Sequence, residues 1–382
     1  AGILRQEQRL LSGAAELRDA DGLAALPEGA AADLVLVRRP PEQAAWLAKV
    51  EESWKAFSGA PDWAKADREI VLAAVKQSGT ELCQASEALR GDREVVSAAL
   101  RQSGRALEFA ARELRAERGL VLRAVRQSGH ALAFAAPALQ ADRQVVLEAV
   151  QQNGCVIEFA AEALRADREV ILAAVQQDGS ALGLVVEGDK ADRSIVLAAV
   201  RQSWRALRLV SQGLRGDREI ALAAVRQDGR ALELVAEELW ADEEVVMAAV
   251  LQCGSALQLA AEELRSERSI VLAAVRQDAK ALEFAARPLR ADAAVVLAAV
   301  RAEGSALRFA AERLRADRDF VLAAMRENGL ALGEVKEHFG GDRDVVLEAV
   351  RQNGHALKFA SERLRADRDV VLAAVRQNGR AL

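Results

Sequence analysis

Apolar positions along this chain repeat every 25 residues. A carboxylate, Asp67, precedes the run Ile70-Val71-Leu72-Ala73-Ala74-Val75, and the same arrangement returns at Asp92 and at each later step. Units start near 66, 91, 116, 141, 166, 191, 216, 241, 266, 291, 316, 341 and 366, thirteen in all, with no insertion between them. We number the places of a unit 1 to 25, with Asp67 at place 2. Self-similarity at such a period marks a stacked repeat architecture.

Place 2 is acidic in all thirteen units and place 14 is Gly in eleven. A carboxylate just ahead of an apolar run suits a helix N-cap, where it accepts backbone N–H bonds and faces the positive end of the helix dipole. A glycine some ten residues later suits a C′ position, where only Gly enters the left-handed conformation cheaply. The expected caps are Asp67, Asp92, Asp142, Asp167, Asp192 and Asp217, and the expected stops are Gly79, Gly104, Gly129 and Gly154. These predict a first helix over places 3 to 13, aliphatic at places 5, 6, 7 and 10 with Ala at 8 and 9. Being apolar nearly all round, it belongs between neighbours. Val-Val-Leu runs also favour strands, but length, paired alanines, cap and Gly stop favour helix.

Leu or Ile at place 17, Phe or Leu at place 19 and Leu at place 24 mark a second helical segment. Pro137 at place 22 and Pro288 at place 23 would each cost a helix interior about 3 kcal/mol. Ser86, Ser211 and Ser361 at place 21 would cap a fresh start. The prediction is a short helix over places 15 to 21 and a separate helical turn over places 22 to 25. The fold class is all-α, an α-solenoid of thirteen units held by nearest-neighbour interfaces.

That array occupies residues 64–382. Residues 40–63 read as a linker and N-terminal capping helix, with Trp46 and Trp54 covering the open end of the stack and Pro40-Pro41 as the boundary. The repeat is lost upstream of Pro61. Within the array Trp204 and Ala279 replace the place-14 glycine, Gly188-Asp189 and Gly340 disturb two unit ends, and Glu334 replaces the place-19 hydrophobe. These are either drift in a tolerant array or local bends and sites in units 166–190 and 316–340.

Two resemblances follow from these residues. The run from Leu364 through Asp367-Arg368-Asp369-Val370-Val371-Leu372 to Gln377-Asn378-Gly379 is similar to the signature of the domain-of-unknown-function four-one-one-six repeats. That resemblance supports the helical array and supplies no reaction. Residues 1–39 resemble the C-terminal half of a ubiquitin-like domain: Gln8-Arg9-Leu10-Leu11, a turn at Ser12-Gly13, Leu17, Arg18-Asp19, Leu23 and a closing strand Leu34–Arg38. The resemblance implies a partial β-grasp remnant with Leu11 in the hydrophobic recognition patch. Arg39-Pro40-Pro41 replaces the terminal diglycine of that family, so conjugation to other proteins is not expected. The missing first half, Ala1 rather than Met, and an end inside a unit suggest a truncated chain.

Charge and chemistry narrow the function. Lys+Arg number 52 against 57 Asp+Glu, a formal net charge of −5, without the basic excess of a general nucleic-acid binder. Cys83, Cys155 and Cys253 are too far apart for a disulfide framework or zinc spacing and suit a reducing, cytoplasmic setting. No charge-free stretch is long enough for a membrane span. His130, His338 and His355 lack metal-like partner spacing, and no nucleophile–base constellation or phosphate-loop motif is present. No cofactor and no enzyme activity are expected.

Two features could carry binding. Basic residues recur at places 3, 11 and 25 and Gln at place 12; as stripes these suit ion pairs between units, with Arg at place 3 meeting acids at places 2, 4 and 22, and a Gln ladder to loop carbonyls of the next unit. Place 15 is the most varied, with Arg105, His130, Arg205, Arg230, Lys280 and His355 as the candidate binding face. A constant frame with variable loop positions is how repeat proteins tune binding. The expectation is a monomeric, non-enzymatic scaffold for protein partners. The alternative is a reader of RNA or single strands, with Arg stripes on phosphates and places 13 and 15 on bases.

Overall fold

An acidic residue in extended conformation, aspartate in all but two cases, opens the long helix of every unit from residue 66 onward. In a computed structural model, which describes residues 8–12, 15–17 and 34–380, the long helix fills places 3 to 12, as in Arg68–Gln77, Arg93–Gln102 and Arg268–Gln277. Asp67, Asp92, Asp142, Asp167, Asp192 and Asp217 each accept backbone N–H bonds from places 4 and 5, for example Asp167 from Glu169 (3.0 Å) and Val170 (3.1 Å). Glu117 and Glu267, one methylene longer, make no such cap. Place 13 is extended and ends the helix, with φ −140° at Ser78 and −157° at Asn328.

Beyond it the chain tightens. Places 14 to 19 form a 3₁₀ helix, as in Gly104–Phe109, and places 22 to 25 a single helical turn, as in Arg112–Arg115. The predicted division of the second half is therefore present, with a 3₁₀ segment in place of the α-helix expected over places 15 to 21. Pro137 and Pro288 sit in the first positions of their turns, where a missing N–H is harmless. Ser86, Ser211 and Ser361 make no side-chain cap. Instead the place-21 backbone donates to the place-25 carbonyl of the preceding unit: Ala111 to Arg90 (2.9 Å), Ala161 to Gln140 (2.9 Å), Ala286 to Arg265 (2.9 Å). This main-chain ladder runs between units.

The glycine stops need a different account. Gly79, Gly104, Gly129 and Gly154 do not have positive φ. A Cβ on Gly79 would lie 2.3 Å from the place-9 carbonyl oxygen of the next unit, that of Ala99; on Gly104 it would lie 2.4 Å from Ala124, on Gly129 2.6 Å from Ala149 and on Gly154 2.2 Å from Ala174. Glycine is required by close backbone approach and not by left-handed geometry. Beside this contact, Gln at place 12 of the following unit binds at both ends of its amide. Gln177 accepts from the Gly154 N–H (2.6 Å) and donates to the Gln152 carbonyl (3.3 Å), and Gln277 and Gln377 do the same at Gly254 and Gly354. The ladder expected to reach the next unit thus reaches back to the preceding one.

Arginine at place 3 links units too, reaching the next unit's carboxylates at places 2 and 4. Arg193 meets Asp217 and Glu219 (2.7 Å each), and Arg318 meets Asp342 and Asp344 (2.7 Å each). Acids at place 22 receive no place-3 arginine among the described residues. Between these polar edges the interior is aliphatic: Val95, Val96, Ala99, Ala106 and Leu107 are fully buried, and most of their equivalents in later units are buried too. Each such Val or Leu contributes about 1.5–3 kcal/mol on burial.

Two compact bodies, residues 1–185 and 186–382, are built in this way. The first holds a feature not legible beforehand. Residues 41–65 carry a helix Pro41–Glu52, a 3₁₀ segment Trp54–Gly59 and a turn Asp62–Lys65, the element order of a unit in the same register. Structurally the array begins at 41, not 64. Gln43, 6% exposed, stands at place 3 and donates to Asp67 (2.6 Å), as arginine does elsewhere, while Arg39 binds Glu69 (2.9 Å). The side turned away from the stack exposes Ala45, Lys49 and Glu52, and Trp46 and Trp54 are half-buried. In the second body two unit ends depart from the common pattern: the turn after Val186 is a 3₁₀ stretch, Asp189–Ala191, and Gly329–Ala331 runs directly into an α-helix, Leu332–Phe339.

Ahead of the array, β1 (Gln8–Ser12) pairs antiparallel with β2 (Ala15–Leu17) and with β3 (Leu34–Arg38), in the order β2-β1-β3. Gly13, Arg18, Asp19 and Leu23, part of the ubiquitin-like expectation, lie outside the described residues. Three short strands with no described helix packed on them do not make a β-grasp fold, and that part of the expected fold class is not supported. What stands is the all-α repeat.

Two predictions follow from these contacts. Gly154→Val should lower stability in chemical denaturation by about 2–3 kcal/mol, since its Cβ would lie 2.2 Å from the Ala174 carbonyl oxygen and the facing helix must give way; Asp167→Ala should cost about 0.5–2 kcal/mol. The second concerns pH. The Arg118 guanidinium and then backbone N–H groups hold the Asp142 carboxyl below its ordinary value, Arg193 does so for Asp217, and backbone bonds lead at Asp167. A carboxyl whose folded pKa is depressed stabilises the fold above its unfolded pKa, about 3.9, and loses that contribution as pH falls through the folded value. The melting temperature should therefore respond little to these groups near neutrality and fall progressively below about pH 4.

Candidate interaction surfaces

Place 15 lies on the 3₁₀ segment, one residue beyond the close contact at place 14. Its neighbour at place 13 is less free than its variety suggests. Asn153, Asp178, Asp228, Asp278, Asn328 and Asn353 each accept the N–H of place 15 and so cap the 3₁₀ segment. Place 13 is thus a structural position. Arg105, His130, Arg205, Arg230, Lys280 and His355 are all exposed. At one step in the first body, place-15 side chains of adjacent units meet, with Cys155 Sγ 3.3 Å from Ser180 Oγ.

Most of these side chains already have partners. Arg105 pairs with Glu108 (3.1 Å) and Arg230 with Asp228 (2.6 Å). Arg205 lies over the Trp204 ring (4.9 Å), His130 tilts against Phe159 (6.5 Å between centroids), and His355 Nε2 contacts Asn378 Nδ2 (2.9 Å). Such exposed contacts are worth less than about 1 kcal/mol each and yield readily to a ligand. Half-exposed phenyl rings flank the stripe at place 19, two of them under cations: Arg308 over Phe309 (5.0 Å) and Lys358 over Phe359 (4.8 Å).

The arginine stripes are largely neutralised. Each paired place-3 arginine faces one or two carboxylates, which raise the pKa of Arg118, Arg193, Arg218 and Arg318. At place 11, Arg126 pairs with Glu148, Arg201 with Glu219, Arg226 with Glu244, Arg301 with Glu327 and Arg326 with Glu348. At place 25, Arg215, Gln140 and Trp240 each donate to a backbone carbonyl of their own unit, at Val210 (3.1 Å), Leu132 (3.2 Å) and Leu232 (3.1 Å), whereas the buried Nε of six other place-25 arginines, Arg90 among them, has no hydrogen-bond partner. Phosphate binding at the paired arginines of place 3 would have to break these ion pairs first.

Two shallow grooves lie between the outer faces of adjacent long helices. One, of about 680 Å³, is lined by Arg218, Arg226 and Asp242 through Glu244, with Met247, Ala248 and Leu251 as its apolar part. The other, of about 590 Å³, has Leu347, Leu372 and Ala373 among Arg343, Arg351, Arg376 and Asp369. Neither follows from place 15. Their signal in the sequence is the residue pattern at places 3, 7 and 11, with place 7 half-exposed in most units.

No group of three or more His, Cys, Asp or Glu suited to a metal occurs among the described residues, and no helix is long and apolar enough to cross a membrane. Cys83, Cys155 and Cys253 are free. Burial pushes the Cys83 and Cys155 thiols up, which disfavours the nucleophilic thiolate.

No curated protein and no solved structure matches the chain. The family model described as Domain of unknown function (DUF4116) matches it eight times, at residues 67–115, 117–165, 142–185, 167–215, 192–240, 242–290, 294–339 and 342–382. A match such as 67–115 takes in two 25-residue units, so the family's module is a pair of the stacked units described above. With these matches running through the whole repeat array, the chain belongs to the DUF4116 family.

Proposed function

We propose that this chain is a non-enzymatic scaffold that binds other proteins through the place-15 stripe. One observation carries the reading: the constant places are occupied with holding units together, whereas place 15 is exposed, varied and released from the frame. The caps at place 2, the glycine at place 14, the Gln at place 12 and the arginine at place 3 all have inter-unit or backbone partners. Evolution of such a surface leaves the fold untouched. The three free thiols fit a reducing, cytoplasmic compartment.

Nucleic-acid reading is the second possibility, and the ion pairs at places 3 and 11 count against it. A net charge of −5 gives no field to attract phosphates.

The test is affinity capture from source lysate with the full chain, half of the sample nuclease-treated. A comparison bait carries Arg105→Ser, Arg205→Ser, Arg230→Ser and Lys280→Ser, exposed changes expected to alter stability by less than about 0.5 kcal/mol each. Defined proteins should survive nuclease and fall at least about tenfold on the variant. Nuclease-sensitive retention that weakens steeply with salt would instead favour nucleic acid.

A further inference from the structure

The long helix Glu243–Gln252 departs from the array at both of its cationic places. Place 3 is Arg in eleven units and place 11 is basic in ten; here they are Glu243 and Leu251. Leu251 is 59% exposed and Met247, at place 7, is half-exposed. Both line the groove of about 680 Å³ between this helix and Arg218–Val225.

Charge separates this groove from its counterpart. Its lining holds three carboxylates, of Asp242, Glu243 and Glu244, and two arginines. Asp242 and Glu244 are taken up by Arg218 and Arg226. Glu243 is exposed and has no ion-pair partner among the described residues. The groove near the end of the chain has three arginines and one aspartate around its leucines. Identical architecture therefore presents an acid-edged apolar surface at one position and a base-edged one at the other.

We propose that the Met247–Leu251 groove is a docking site for a basic amphipathic helix of a partner protein. Such a helix lays its apolar face against paired helices. Its leucine-type side chains would cover Leu251 and Met247, and a Lys or Arg one turn away would meet Glu243. Met supplies an adaptable surface for such anchors. An arginine at place 11 would fill this space and repel the cation, so the two departures act together. The proposal rests on the scaffold reading but uses residues other than place 15.

The test uses the full chain and two labelled peptides about 14 residues long, an amphipathic Leu/Lys helix and its Leu/Glu counterpart. Fluorescence anisotropy should show the Leu/Lys peptide binding and the Leu/Glu peptide binding at least about tenfold more weakly. Leu251→Arg and Glu243→Arg restore the residues that other units carry, so both variants should melt within about 2 °C of the parent. Each should weaken the Leu/Lys peptide by about tenfold or more. Place-15 variants should bind it as the parent does, which separates failure of this site from failure of the place-15 reading. The proposal is overturned if neither peptide binds, if the Leu/Glu peptide binds better, or if both arginine variants bind unchanged. It is also overturned if Leu251→Arg instead dissolves a concentration-dependent self-association.

Discussion

At Gly79, Gly104, Gly129, Gly154, Gly229, Gly254 and Gly329, all at place 14, a backbone carbonyl of the following unit leaves no room for a side chain. That contact brings the start of one 3₁₀ segment against the last turn of the next long helix, and a Gln amide closes it from the side. The amide oxygen takes the glycine N–H and the amide nitrogen takes a carbonyl from the end of the preceding helix. Both are groups that helix geometry leaves without internal partners. Burying them unpaired would cost about 1–3 kcal/mol each, so the glycine and the glutamine form one device. The 25-residue period is the sequence interval at which this device, the aspartate cap and the place-21 ladder recur together.

Where the device is altered, the consequences are local. Trp204 stands at place 14, and the facing helix, Arg218–Val225, ends at place 10 rather than 12. The Ala224 carbonyl there takes N–H groups from both Gln227 and Asp228, a tightened last turn. Gln227 still accepts from the Trp204 N–H (3.0 Å), but its amide nitrogen reaches the Val200 carbonyl (2.6 Å). Gln77 does the same towards Val50 (2.7 Å), behind Trp54, which also stands at place 14. A bulky residue is accommodated by moving the clamp two residues back along the preceding helix, from the place-12 to the place-10 carbonyl. Exposed ion pairs add register more than stability, since each is worth about 0–1 kcal/mol.

Much of this frame was legible because its chemistry is periodic. The aspartate cap, the helix it opens, the break before Pro137 and Pro288 and the stacked architecture follow from residue types at fixed intervals. The role of glycine was misassigned because a C′ glycine and a close-approach glycine look identical in sequence; only the facing carbonyl tells them apart. The unit at 41–65 was missed because Glu52 and Trp54 occupy the clamp places, leaving Val50, Ala56, Phe57 and Ala60 as its only traces. Place 13 read as a variable loop because Asn and Asp cap a 3₁₀ segment equally well. Place 15 was legible as the varied position, and its exposure agrees. The grooves were not, because they arise between two helices and depend on which cations are missing.

The frame accounts for a surface whose side chains can change without touching what holds the units together. Its central claim is that the place-14 amide is sealed by the glutamine of the following unit. Amide hydrogen exchange at Gly154, Gly254, Gly329 and Gly354 measures this directly. Each of these N–H groups donates to a Gln Oε1 of the following unit at 2.6–2.8 Å. The account predicts protection comparable to that of the long-helix interior, lost at Gly154 alone when Gln177 is replaced by Ala. Exchange at the rate of an open loop in the parent chain would contradict it.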